Sequence, residues 1–187
     1  FGGSCFQKDI LNLIYLCNFY GLEEVANYWK GVIEINNWTQ NRISKAIVQK
    51  LFGTVSGKKI AILGFAFKAN TNDTRESPAI SICKNLLDEG ASLSIFDPKV
   101  EVKQVEIDLG LKYSNEGNLS SWTPAKSIAE AAINADAILL LTEWEEFKFI
   151  EWNEITKTMR SPSWIIDTRN IIDQNYTFSY GTKVWRI

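Results

Sequence analysis

K-K-I-A-I-L-G-F-A-F-K, Lys58 to Lys68, decides the architecture of this chain. Ile60 to Leu63 are consecutively apolar and end on Gly64, with no polar residue alternating between them. A short run of that kind fits a strand covered on both faces, as in parallel sheets sandwiched between helices. The same texture recurs downstream. Leu93-Ser94-Ile95-Phe96-Asp97-Pro98, Ala137 to Leu141 and Trp164 to Asp167 read as further strands, and Lys183 to Trp185 as a possible edge strand. Helical segments fall between them. Ser77 and Pro78 supply an N-cap and an N1 proline for a helix over Ala79 to Glu89, closed by Gly90. Helix potential returns near Glu101 to Leu109, followed by a polar loop, then at Ile128 to Ile133 and around Trp152 to Met159. Strands alternating with helices through short links predict a doubly wound, mainly parallel α/β domain over residues 53–187.

Upstream, residues 1–52 have a different character. Ile10, Leu13, Ile14 and Cys17 follow the i, i+3, i+4, i+7 spacing of an amphipathic helix, which Gly21 interrupts. Glu23 and Glu24 suit the positive start of a second helix. Its stripe runs through Val25, Trp29, Val32, Ile33, Asn36, Ile43, Ile47 and Leu51. Some thirty residues at about 1.5 Å each give roughly 45 Å, more than a small domain needs, so the arm is expected to pack on a second protomer or another domain.

Composition narrows the chemistry. The 187 residues are 45% hydrophobic and carry 20 basic against 22 acidic side chains, a net charge of -2. Without a basic face, nonspecific nucleic-acid binding is not expected. No apolar run approaches the ~18 residues of a spanning helix and no secretory signal precedes the fold, so neither membrane insertion nor export is expected. The chain contains three cysteines and no histidine. Cys5, Cys17 and Cys83 show no C-x-x-C spacing, which fits reduced thiols in a cytoplasmic protein. Ser-His-Asp, Cys-His and histidine-based zinc sites cannot be assembled, and no metal is expected. A nucleophile here must be activated by lysine, carboxylate, backbone dipoles or a cofactor.

The α/β domain stops short of a dinucleotide-binding unit. Such units follow the first strand with G-x-G-x-x-G so that backbone can approach a pyrophosphate. Here the strand leads into G-F-A-F-K-A-N-T-N-D-T-R-E-S-P, Gly64 to Pro78, with one glycine and a long polar insertion. G-T-V-S-G-K-K, Gly53 to Lys59, has the wrong spacing for a P-loop, and its lysines precede the strand. Ligands of open α/β sheets nevertheless bind beyond the carboxyl ends of the strands. Phe67 and Lys68, Asp97, Thr142-Glu143-Trp144 and Asp167-Thr168-Arg169 all fall there. Cations on one rim suit a phosphorylated ligand and aromatics can stack on a base. The alternative is a solvated loop layer in which Asp73, Arg75 and Glu76 form an ion-pair network.

F-G-G-S-C-F-Q-K-D, Phe1 to Asp9, places Cys5 at a predicted helix start. Backbone N–H groups and the dipole there favour thiolate over thiol. Lys8 and Asp9 lie on the same helical face, one able to stabilise an anion and the other to orient water. The competing reading is an inert thiol, as for Cys17 and Cys83, which fit small core positions.

These two segments, with T-E-W at Thr142 to Trp144 and I-I-D-T-R-N at Ile165 to Asn170, closely resemble the UDP-glucose 6-dehydrogenase family, with the motifs in the family's order. The resemblance implies an NAD-dependent enzyme that oxidises the C6 alcohol of UDP-glucose to the carboxylate of UDP-glucuronate in two hydride transfers, through a cysteine thiohemiacetal and thioester. By matching, Cys5 is the nucleophile and Asp9 stands near the hydrolytic water. Phe1, Gly2, Phe67, Lys68 and Arg169 fall at substrate-binding positions. Cys5, Phe6, Gln7, Lys8 and Arg75 fall at cofactor-side positions. The family's plan is an NAD-binding Rossmann domain, a central helical region that forms the dimer, and a Rossmann-like UDP-binding domain. Residues 1–52 would be the helical dimerisation region with the catalytic-cysteine segment, and 53–187 the UDP-sugar-binding domain. A homodimer or higher homo-oligomer through the long helix follows from the same likeness.

The related UDP-N-acetylmannosamine dehydrogenases share the architecture, although the wording around Lys68 and Cys5 looks more like the glucose enzymes. A non-catalytic nucleotide-sugar-binding or dimerisation module is the other reading. The family's nucleotide fingerprint, general-base glutamate and lysine–asparagine pair have no counterpart here. The chain also opens inside a glycine motif without a methionine. Part of a longer protein, inactive alone, is the expectation.

Overall fold

The computed structural model describes residues 1–114 and 118–186. Two helices lead the chain, α1 (Ser4–Phe19) and α2 (Glu23–Lys50). The α/β part then runs β1 (Lys59–Leu63), α3 (Pro78–Asp88), β2 (Ser92–Phe96), α4 (Val102–Leu109), β3 (Ser121–Pro124), α5 (Ile128–Ala132), β4 (Ala137–Leu140), α6 (Trp152–Thr156), β5 (Trp164–Asp167) and β6 (Lys183–Arg186).

The strands form one sheet in the order β3-β2-β1-β4-β5-β6. Every pairing is parallel. The chain leaves β1 for β2 on one side and returns to β4 on the other, which opens a crevice at their carboxyl ends. Leu63 pairs with Phe96 and with Leu140, and Leu140 with Asp167. The residues following β1, β2, β4 and β5 therefore emerge along one rim.

Ile60 to Leu63 are completely buried. Ile60 and Ile62 face one core with Leu93, Ile95, Leu139 and Ile166, while Ala61 and Leu63 face the other with Ile138, Leu140 and Ile165. The two-residue period of a strand splits the run between two apolar layers, which is why none of it is polar. The first core is closed by α3, α4 and the C-terminal part of α2, through Ile43, Ile47 and Leu51. The second is closed by Ala131, Ala132, Phe147 and Trp152. The arm and the sheet thus share a core, which anchors α2 to the domain.

α1 and α2 form a hairpin about Gly21, whose φ of 71° is the left-handed value of a tight turn. Ile10, Ile14, Cys17 and Ala26 are its core, with Trp29, Val32 and Ile33 packed against it. Val25, placed on the apolar stripe by periodicity, is exposed, and Ala26 is buried in its stead. From Trp29 onward the stripe keeps its predicted face.

The polar loop expected after α4 contains a strand, β3. Ser-Trp-Thr-Pro has no strand-like alternation, and its proline removes a ladder donor. An edge position tolerates that, since β3 pairs only with β2. Trp122 provides the anchor, buried and donating from Nε1 to the Leu111 carbonyl at 2.9 Å. A 3-10 turn at Glu145–Phe149 precedes α6, which stops at Thr156 instead of Met159. No helix among the described residues is long and apolar enough to cross a membrane.

Candidate functional site at the sheet switch point

The rim is organised by β1's exit. Gly64 has φ 91°, and a Cβ there would stand 2.4 Å from Thr142 Cβ, so only glycine lets β1 turn out beside β4. Thr142 Oγ1 donates to the Ala66 carbonyl at 2.6 Å, tying the two exits together.

Asp97, at the end of β2, is the hub. Its Oδ2 accepts from Phe65 N at 2.7 Å, Ala66 N at 3.0 Å and Trp144 Nε1 at 3.1 Å. Its Oδ1 accepts from Lys99 N at 2.9 Å and Val100 N at 3.0 Å. An acid at the end of the second strand holds the ribose in dinucleotide folds; here the protein's own donors occupy it. Trp144 is likewise a structural member, buried with its indole N–H used.

The start of α3 is closed as well. Pro78 has no N–H to offer, Ser77 Oγ accepts from Ala79 N at 3.3 Å, and Ile80 N donates to the Ser77 carbonyl at 3.1 Å. Ser77 Oγ also donates to the Phe65 carbonyl at 2.8 Å. The cradle in which a Rossmann domain holds a pyrophosphate is therefore filled, and the residues of this sheet do not fit a dinucleotide in that manner.

Beyond the hub the rim carries cations and an aromatic ring. Lys68 Nζ lies 5.3 Å from the centre of the Phe67 ring. Arg169 Nε donates to the Leu141 carbonyl at 2.8 Å and lies 3.5 Å from Glu143 Oε2. That ion pair leaves the guanidinium half-buried at the rim, with no terminal-nitrogen hydrogen bond among the described residues. Asp167 is fully buried and holds the turn, accepting from Arg169 N and Ile172 N.

The opening segment meets this rim from the arm. Gly2 and Gly3 pack on the β1–α3 loop: a Cβ on Gly2 would fall 2.6 Å from the Glu76 carbonyl oxygen, and one on Gly3 2.8 Å from the Phe67 ring. Phe1 is held from α2, where Asn36 Nδ2 donates to its carbonyl at 3.1 Å, and its ring meets Phe6 edge-on at 4.8 Å. Cys5 lies in the first turn of α1 and is exposed, whereas Cys17 and Cys83 are buried. Phe6, Lys8 and Asp9 are exposed and Gln7 is half-buried. No side chain caps the start of α1.

Arg75 clasps Asp73 with Nε and Nη2, at 2.9 and 2.7 Å, and its side chain is 71% exposed. That clasp lowers the Asp73 carboxyl below its ordinary value and raises the Arg75 guanidinium above its own. An uncapped helix start, Lys8 and Arg75 together fit the flank of an anionic cofactor, though not its full cradle.

Of the expected site residues, Phe67, Lys68 and Arg169 follow the strand ends, Phe1, Gly2 and Cys5 to Asp9 lie before and within the start of α1, and Arg75 lies in the β1–α3 loop. The roles of Gly3 and Asn36 escape sequence reading. A polar Asn36 within an apolar stripe is a signal for the second; nothing local marks the first.

Residues 61–174 match the family model described as the UDP-glucose/GDP-mannose dehydrogenase family, UDP binding domain. The chain is 47% identical over 198 aligned residues to UDP-glucose 6-dehydrogenase 4 of Arabidopsis thaliana, covering all of this chain and 41% of that protein. It is 46% identical to UDP-glucose 6-dehydrogenase 1 of Glycine max with the same coverage. It thus spans about two fifths of the length of these relatives. Among solved structures, a UDP-glucose dehydrogenase from Pyrobaculum islandicum superposes with a TM-score of 0.73 at 24% identity, covering 100% of this chain and 37% of that one. A UDP-D-ManNAc dehydrogenase from Pyrococcus horikoshii gives 0.68 at 27% identity, covering 98% and 38%. With a family match over most of its length and relatives of this similarity along all of it, the chain belongs to the UDP-glucose/GDP-mannose dehydrogenase family.

Proposed function

We propose that this chain is the part of an NAD-dependent UDP-glucose 6-dehydrogenase that carries the nucleophile and the UDP-binding rim. The observation behind this is the packing of Gly2 and Gly3 against the β1–α3 loop, at Glu76, Pro78 and the Phe67 ring, which seats the start of Cys5's helix on the loop that carries Phe67 and Lys68. Residues 1–52 then form the helical region that supplies Cys5 and the homo-oligomer contact, and 53–187 the UDP-sugar domain of a cytoplasmic enzyme.

In this reading Lys68 and the Arg169 guanidinium face the diphosphate, and Phe1, Gly2 and Phe67 line the substrate side. Phe6, Gln7, Lys8 and Arg75 flank the cofactor with Cys5. When bound, NAD supplies the acceptor for both hydrides. The Cys5 thiolate adds to the C6 aldehyde left by the first oxidation, and the new alkoxide takes up a proton to give a thiohemiacetal. Loss of the remaining hydride from that carbon, together with the hydroxyl proton, leaves a thioester. Water oriented by Asp9 adds to it and expels the thiolate, giving UDP-glucuronate. Glucose is favoured over N-acetylated sugars because the higher identities are to UDP-glucose 6-dehydrogenases.

The test uses the intact protein, with the length its relatives have beyond this chain. UDP-glucose should yield two NADH per sugar, and Cys5→Ser should stop net turnover. Full activity in that variant would remove Cys5 from the mechanism, and preference for an N-acetylated UDP-sugar would reassign the substrate.

A further inference from the structure

What places Cys5 lies outside its own helix. Gly3 enters α1 with φ 84° and offers no capping side chain, yet it is buried. Its cover is the Phe67 ring: a Cβ on Gly3 would stand 2.8 Å from Cε2, 2.9 Å from Cδ2 and 3.2 Å from Cζ. One residue earlier, a Cβ on Gly2 would stand 2.6 Å from the Glu76 carbonyl oxygen and 2.8 Å from Pro78 Cδ. Both contacts come from the β1–α3 loop, one from each end.

That loop is braced throughout. Phe67 N donates to the Asp73 carbonyl at 3.1 Å and Ser77 N to the Thr74 carbonyl at 2.9 Å. The Arg75–Asp73 clasp stiffens its middle. Phe65 and Ala66, immediately before Phe67, hang on Asp97. A braced loop bearing on a segment without side chains transmits its position, because packed interiors yield little to sub-ångström displacement.

We infer that Phe67 is a positioning residue for Cys5: by bearing on Gly3 its ring sets where α1 begins, and hence where the thiol stands relative to the Lys68–Arg169 rim. The inference rests on the nucleophile role proposed for Cys5. It gives Phe67 a task that does not require touching the ligand and couples the UDP-binding rim to the nucleophile through van der Waals contact.

Amide hydrogen exchange of the 187-residue chain tests the contact directly. Phe67→Ala should accelerate exchange of Gln7 to Ile10, the amides that close the first turn of α1 onto the carbonyls of residues 3–6, by about tenfold or more, while the amides of β1 and β4 keep their protection. Phe67→Tyr, which retains the ring, should restore the original rates. Exchange in that turn within about twofold of wild type, with the sheet still protected, would overturn the inference. Should Phe67→Ala lose sheet protection, Gly2→Ala replaces it, pressing on Glu76 and Pro78 at the other end of the loop. It should accelerate the same amides, and unchanged rates would again overturn the inference. In the intact protein, Phe67→Ala should lower kcat for UDP-glucose more than it raises KM. A rise in KM alone would make Phe67 a substrate contact only. An intact protein inert toward UDP-glucose would refute the functional reading while leaving the exchange result to stand by itself.

Discussion

Replacing Asp97 by alanine should damage the fold more than a half-buried surface-edge acid ordinarily would. Five donors converge on its carboxylate. Hydrogen bonds to a charged acceptor net about 1.5–3 kcal/mol each, and a buried donor left unpaired costs a comparable amount. Lys99 is exposed and Val100 half-buried, so water can replace the bonds to their amides, and Trp144 can shift its indole. Phe65 and Ala66 are buried and cannot rehydrate. Counting only those two gives about 3–6 kcal/mol, a large share of the 5–15 kcal/mol that typically holds a domain. Asp97→Asn should recover only part of this, since whichever donor set its oxygen serves, its amide NH2 faces the other. The assay is urea unfolding followed by circular dichroism. The midpoint should fall by roughly 1.5–3 M with an unchanged slope of ~2 kcal/mol/M. A loss under about 1 kcal/mol for Asp97→Ala would refute the hub, and full rescue by asparagine would refute the need for two accepting oxygens.

Other perturbations test the neighbouring contacts. Gly64→Ala must accept φ 91° and a Cβ 2.4 Å from Thr142; at about 1–2 kcal/mol for the backbone and 1–3 for overpacking, it should lower stability by roughly 2–5 kcal/mol in the same urea assay. A wild-type midpoint would show that β4 can yield. Ser77→Ala removes the cap of α3 and the donor to the Phe65 carbonyl, costing about 1–3 kcal/mol, whereas Ser77→Thr should hold most of it. The Asp73 carboxyl is held below its ordinary value chiefly by the hydrogen bond from Arg75. Its contribution to loop order is thus complete above the usual carboxylate pKa of about 3.9 and is lost as pH falls through the lower folded value. Carboxyl NMR should show that depressed midpoint moving up in Arg75→Gln, and an unmoved midpoint would exclude the clasp. With a thiol-specific reagent, the native chain should expose one fast thiol, Cys5. Burial pushes the Cys83 thiol up, so it and Cys17 should react only after unfolding; three fast thiols at the outset would contradict the packing.

Much of this architecture was legible in local pattern. The unbroken run Ile60 to Leu63 announces a strand between two apolar layers, and Ser77-Pro78 marks the start of α3, because covering and capping depend on residues close in sequence. β3 was not legible: its Ser-Trp-Thr-Pro lacks alternation, and what makes it a strand is an edge place beside β2 and a buried Trp122. Among the site residues, Phe67, Lys68 and Arg169 could be placed on the rim from the alternation of strands and helices, since ligands meet such sheets at strand ends.

Their division of labour could not. Asp97 and Trp144 look like ligand groups in sequence, yet they are spent on each other and on the backbone of Phe65 and Ala66. The bearing of Phe67 on Gly3 joins positions 64 residues apart, with no periodicity to announce it. Apart from β3, then, local pattern in the chain was enough to say which elements form and which chemical groups stand at their ends, because propensity, capping and burial period act over a few residues. Which of those groups remain unspent, and how the segment carrying Cys5 is seated on the β1–α3 loop, follow from contacts made across the fold. Hydrogen-bond satisfaction and close packing are settled between distant parts of the chain.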